Sequence, residues 1–145
     1  MEAREAMLEG SRILLVEDEY LLASLLKEIL EDLGAEVIGP FARVGPALES
    51  LRDAAMPQIA LLDVNLGGED SFPIADALAR HDIPSVLLTG YDAGTLPERY
   101  RHLPCLYKPI DLAAIHRGFV PLAAAAAAGG RGRAAARDLR FDFSH

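Results

Sequence analysis

Arg12-Ile13-Leu14-Leu15-Val16-Glu17-Asp18-Glu19 is an apolar run that stops abruptly in three carboxylates. Three later runs stop in the same manner. Ile59-Ala60-Leu61-Leu62-Asp63 closes on one Asp, Ser85-Val86-Leu87-Leu88-Thr89-Gly90 on a Thr, and Cys105-Leu106-Tyr107-Lys108-Pro109 on a Lys. Uninterrupted apolar runs of this length read as strands buried on both faces, the pattern of parallel strands under helices. In an open α/β sheet, ligands collect beyond the carboxyl ends of the strands. Glu17, Asp18, Asp63, Thr89 and Lys108 are therefore expected at one rim.

The segments between these runs have helical spacing. Leu21, Leu22, Leu25, Leu26, Ile29, Leu30 and Leu33 recur at i, i+3/i+4, which predicts an amphipathic helix ending at Gly34 as a left-handed cap. A short strand, Ala35 to Gly39, is expected to stop at Gly39-Pro40, and a second helix to run from about Gly45 to Ala55. Val64 to Asp70 reads as a loop through its paired glycines, with Ser71 as N-cap of a helix reaching about Arg80. Tyr91 to Leu103 has room only for a short helix, Leu96 to His102, and is the connection expected to move. Asp111 caps a last helix through Leu112, Ile115 and Phe119, which Pro121 interrupts. The sum is β-α repeated about five times, a doubly wound α/β fold around a five-stranded parallel sheet.

Bulk properties bound the function. The 145 residues fit one domain: an N-terminal extension over 1–10, a folded unit over 11–120, and a low-complexity, flexible tail over 121–145. Residues 1–120 hold ten Lys/Arg against twenty Asp/Glu, a charge of −10, which argues against nucleic-acid binding by the body. The tail holds four Arg against two Asp. One cysteine, Cys105, excludes an internal disulfide and fits a reducing compartment, and no run is long enough for a membrane span. The expected location is the cytoplasm. Four scattered histidines have no zinc spacing, and Gly67-Gly68 lacks the length and Lys of a phosphate-binding loop.

Glu17, Asp18 and Asp63 held close together would repel one another, so the cluster calls for a cation. Hard oxygen ligands, with a loop carbonyl such as that of Asn65, suit Mg²⁺. Charge runs are usually just solvated, but a lone Asp63 after four apolar residues needs a partner. Lys108 supplies the opposite charge and Thr89 a hydroxyl donor. Together they make a site for an aspartyl phosphate, with Asp63 as nucleophile and no general base required.

The ordered set VEDE, LLDVNLGG, LLTGYD and YKPID resembles the receiver domain of two-component response regulators, over about Arg12 to Val120. The resemblance implies a flavodoxin-like strand order of 2-1-3-4-5 and a cis Lys108-Pro109 bond. It also implies Asp63 as phosphoacceptor, Mg²⁺ held by Asp18, Asp63 and the Asn65 carbonyl, and Glu17 acting largely through water. The implied partners are a sensor histidine kinase or histidine phosphotransfer protein and a downstream protein target, without membrane or DNA. The implied activity is signalling by altered protein contacts, with at most self-catalysed phosphorylation and dephosphorylation. Receivers often carry an aromatic switch three residues before the Lys, where this chain has Cys105. Thr89-Gly90-Tyr91 instead resembles the stand-alone FATGUY-motif subgroup, with Tyr91 either sharing the signalling role or covering the rim. Two other readings compete. A Mg²⁺-dependent aspartyl-phosphate phosphatase would want a second Asp where Asn65 stands, and a transcription regulator would act through its basic tail.

Overall fold

The computed structural model describes residues 7–52, 55–90 and 95–128. Its strands and helices are β1 (Arg12–Val16), α1 (Tyr20–Asp32), β2 (Glu36–Phe41), α2 (Val44–Ser50), β3 (Ile59–Asp63), β4 (Asn65–Leu66), β5 (Glu69–Asp70), α3 (Phe72–Arg80), β6 (Ser85–Thr89), β7 (Cys105–Tyr107), α4 (Leu112–Gly118) and α5 (Val120–Ala127). Five strands pair in parallel in the order β2-β1-β3-β6-β7, and β4-β5 form a separate antiparallel hairpin. Without the hairpin this is the 2-1-3-4-5 order of a flavodoxin-like fold.

Alternation along each buried strand feeds two cores, because successive side chains leave a strand on opposite faces. Ile13, Leu15, Leu61 and Leu88 pack with Leu26 and Leu30 of α1, Ile115 of α4 and Val120 of α5. Leu14, Val16, Leu62 and Leu87 pack with Ala47 of α2 and Ile74 and Leu78 of α3. At the end of α1 the Gly34 N–H donates to Glu31 O and the Ala35 N–H to Leu30 O, a Schellman closure with Gly34 at φ 101°. The apolar stripe of α1 is wider than its buried face: Leu21 and Leu25 are exposed.

Several expectations are corrected. β2 runs through the cis Gly39-Pro40 bond to Phe41, rather than stopping there, with a register irregularity opposite β1. An edge strand with a bulge tolerates a residue that lacks an N–H. Gly39 is needed at this crossing, since a Cβ would lie 2.7 Å from the Leu15 carbonyl oxygen. α2 ends at Ser50, not near Ala55, and the Ser50 hydroxyl bonds back to Ala47 O. Val64 to Asp70 is a hairpin rather than a plain loop; Gly67 and Gly68 both have positive φ, as its tight turn requires. Ser71 holds the N-cap position of α3, yet the hydroxyl makes no cap, and Asp70 accepts from the Phe72 N–H instead. The expected helix Leu96 to His102 is a single 3₁₀ turn, Glu98–Tyr100.

The limits of the folded unit also move. Asp111 caps α4 as expected, accepting from the Ala114 N–H at 2.8 Å. Pro121 ends that helix but sits in the first turn of α5, where Pro is tolerated. Leu122 and Ala123 are buried beside Val120, so the first residues of the expected tail enter the core. Leu8, from the expected extension, is fully buried, and its N–H donates to Leu33 O. The rest of the tail, Phe141 and Phe143 included, lies outside the described residues. No helix among the described residues is long and apolar enough to cross a membrane.

Candidate functional site

The carboxyl edge of the sheet delivers the polar residues named by the sequence. Each stands at or just beyond the end of a buried strand, where the apolar pattern must stop because the chain leaves the core. Backbone bonds hold these exits in line. Glu17 N–H donates to Phe41 O, Val64 N–H to Leu88 O, and Lys108 N–H to Thr89 O, each at 2.9 Å. The continuation of β2 past Pro40 thus supplies the acceptor that fixes Glu17. The Lys108-Pro109 bond is cis.

Lys108 Nζ lies 2.9 Å from Asp63 Oδ2 and 3.4 Å from Glu17 Oε1. The other Asp63 oxygen accepts from the Asn65 N–H at 3.1 Å, and Glu17 Oε2 accepts from the Glu19 N–H at 2.9 Å. Glu17, Asp18 and Asp63 each offer a carboxylate oxygen within 4.8 Å of the others. Glu17 and Asp63 are buried at 2% and 4% exposure, while Asp18 faces solvent. Asp18, Asp63, Asn65, Thr89 and Lys108 line a cleft of about 460 Å³, with Glu17 beneath it.

Charge is under-neutralised here. Burial is the main force pushing the Glu17 carboxyl up to about 7; the Glu19 N–H opposes it, and the hydrogen bond and charge of Asp63 reinforce it. Burial alone would lower the Lys108 ammonium, but its bonds and charge interactions with Asp63 and Glu17 outweigh that and raise it. Glu17 Oε1 is buried, and beyond its 3.4 Å ion pair with Lys108 no hydrogen bond reaches it. Three close carboxylates, a buried oxygen held only by a long ion pair, and an exposed Asp18 fit a hard divalent cation with room for its waters.

All six expected residues, Glu17, Asp18, Asp63, Asn65, Thr89 and Lys108, come together. Tyr91 lies outside the described residues. Cys105 is buried on β7, and burial pushes its thiol up. Glu19 and Gly67 were not foreseen at the cleft. Gly67 adopts φ +62°, and a Cβ there would stand 3.4 Å from Asp18 Oδ2. Its pairing with Gly68 signalled a turn, but nothing in the sequence placed that turn against Asp18.

A doubly wound parallel sheet with an acidic trio and an ammonium at its carboxyl edge is the architecture of a signalling receiver. The family model described as "Response regulator receiver domain" matches residues 13–117, and the chain belongs to that family. Among curated proteins it is 30% identical to the sensor protein TorS of Escherichia coli over 114 residues, covering 79% of this chain and 11% of that protein. It is 31% identical to the transcriptional regulatory protein PdtaR of Mycobacterium tuberculosis over 105 residues, covering 70% and 51%. The chain thus spans about a tenth and about half of the curated relatives it matches first. Among solved structures, SdrG from Sphingomonas melonis Fr1 is 39% identical with a TM-score of 0.66, covering 81% of this chain and 96% of that one.

Proposed function

We propose that this chain is a single-domain response regulator of the FATGUY-motif type. It accepts a phosphoryl group on Asp63 from a histidine kinase or phosphotransfer protein and signals by altered protein contacts. The observation that carries this reading is Lys108 Nζ at 2.9 Å from Asp63 Oδ2, inside an acidic cleft open to solvent. The reading is supported by the likeness to SdrG, whose solved chain this chain covers to 96%, and which has also been solved in a BeF3-activated conformation.

In the proposed transfer, an Asp63 carboxylate oxygen forms the bond to phosphorus while the phosphorus–nitrogen bond of a donor phosphohistidine breaks. The imidazole nitrogen leaves with the electron pair. A carboxylate nucleophile has no proton to remove, so the transfer calls for no general base. Lys108 exchanges part of its contact with Asp63 for a phosphoryl oxygen, as a compact point charge suited to phosphate. The Thr89 hydroxyl, at the adjacent strand end, donates to another. Mg²⁺ held by Asp18, Asp63 and the Asn65 carbonyl, with Glu17 behind them, would neutralise the remaining oxygen charge.

Incubation with acetyl phosphate and Mg²⁺ followed by intact-mass spectrometry tests the reading. Wild type should gain one acid-labile phosphoryl group that Asp63→Asn does not. An unlabelled wild type, or equal labelling of the variant, sinks it.

A further inference from the structure

Two loops that border the acidic cleft end on aromatic rings, and those rings are stacked on each other. From Asp63 the chain passes through the β4-β5 hairpin into α3, whose first residue is Phe72. From Thr89 it passes through Gly90 into the connection that ends in the 3₁₀ turn Glu98–Tyr100. The Phe72 and Tyr100 rings have centroids 4.0 Å apart and planes 6° from parallel. One turn along α3, Asp76 shares the face of Phe72 at i, i+4. The Tyr100 hydroxyl donates to its carboxylate, 3.1 Å from each oxygen. Arg99 adds an ion pair to Asp76 at 3.2 Å, and its guanidinium stands 4.9 Å from the centre of the Tyr100 ring.

The far side of the connection is anchored too. Leu96 is buried in the core beside α3, and its carbonyl accepts from Arg101 Nε at 2.8 Å. Tyr100 is buried as well. Burial and then the Asp76 carboxylate push the Tyr100 phenol above its ordinary range, so it remains a donor near neutrality.

We propose that Phe72, Asp76 and Tyr100 form a clip that locks the loop after Asp63 to the loop after Thr89, making Asp76 and Tyr100 positioning residues for the acidic site. The first loop is pinned at its base by the Ser71 N–H bond to Val64 O at 3.0 Å. The second is pinned at its start by the Lys108 N–H bond to Thr89 O. A displacement of the hairpin therefore moves Phe72 and, through the stacked face, Tyr100. Packed contacts of this kind switch between discrete arrangements rather than stretch. Cys105 offers no ring to carry such a movement, and the clip lies on a different route, through α3. The coupling of the loops stands on geometry alone. Its use as a signalling path rests on the receiver reading above.

The test is amide hydrogen exchange and amide chemical shifts on the unphosphorylated full chain, comparing wild type with Tyr100→Phe and Asp76→Asn. Both substitutions keep shape, and thermal melts check folding. Exchange is expected to quicken by roughly tenfold at residues 96–103 and also across the hairpin, 65–71, with β1 and β3 unchanged. Asp76→Glu, which keeps the carboxylate, should restore most of the hairpin protection. Faster exchange confined to 96–103 overturns the coupling, and no change in either segment overturns the clip itself. Should either variant fail to fold, Phe72→Leu removes the stack alone and carries the same two readouts. Acetyl phosphate labelling of Asp63 is scored separately. Coupled loops without labelling count against the receiver reading only, and labelling with uncoupled loops counts against the clip only.

Discussion

The rim and the clip are both small clusters of polar side chains, and they differ in charge balance. At the rim, Glu17, Asp18 and Asp63 share one ammonium, Lys108. At the clip, Asp76 has the Arg99 guanidinium and the Tyr100 hydroxyl to itself. The first cluster carries surplus negative charge that a cation or a proton relieves. The second is satisfied as it stands. Sensitivity to ions and pH therefore belongs to the rim, while the clip supplies a fixed mechanical contact.

The largest expected effect is the pH response of the rim in metal-free protein. A Glu17 carboxyl at about 7 when folded, against an ordinary 4.5, holds its proton more tightly in the folded chain. That contribution is complete below about pH 4.5 and is lost as the pH rises through 7, on the order of 3 kcal/mol. Denaturant melts in chelator should show stability falling over this window. Mg²⁺ should raise stability more at pH 8 than at pH 5, and Glu17→Gln should flatten the metal-free slope. A flat wild-type profile would remove the contrast with the clip. Next in size is Lys108→Met, which strands the carboxylates. The part-exposed pair discounts the cost to roughly 2 kcal/mol at pH 8, partly recovered in Mg²⁺ and readable by the same melts.

At the clip, Tyr100→Phe removes one charge-assisted hydrogen bond and keeps the stack, costing about 1 kcal/mol with no change between pH 5 and 8. A pH-dependent loss there would make the clip an electrostatic device like the rim. The smallest effect is Arg99→Ala. Its side chain is 70% exposed, so the loss should stay below about 0.5 kcal/mol in urea melts.

What the sequence made legible follows the same physical line. Four buried strands were readable because continuous apolar runs have one stable setting, under helices on both sides. Their polar last residues were readable because such runs rarely stop on Asp or Lys without cause. The order of burial within Glu17-Asp18-Glu19 was not legible, since three acids in a row do not reveal which one turns inward. Gly39-Pro40 carried a stop signal that an edge strand overrides. The alanines of α5 looked like low complexity, although Ala is the best helix former and Val120, Leu122 and Ala123 find a core to enter. The clip was invisible for a different reason. Phe72, Asp76 and Tyr100 are joined only by the three-dimensional path of two loops, and no spacing along the chain encodes that meeting.

α5 sets the physical edge of the unit further out than kinship does. The family match closes at residue 117, yet Phe119, Val120, Leu122 and Ala123 roof the same hydrophobic layer as Ile13 and Leu61. A chain cut at the homology boundary would leave that layer open to water. Such a fragment would tend to clump or melt early, and its weakness would say nothing about the polar residues at the carboxyl edge of the sheet.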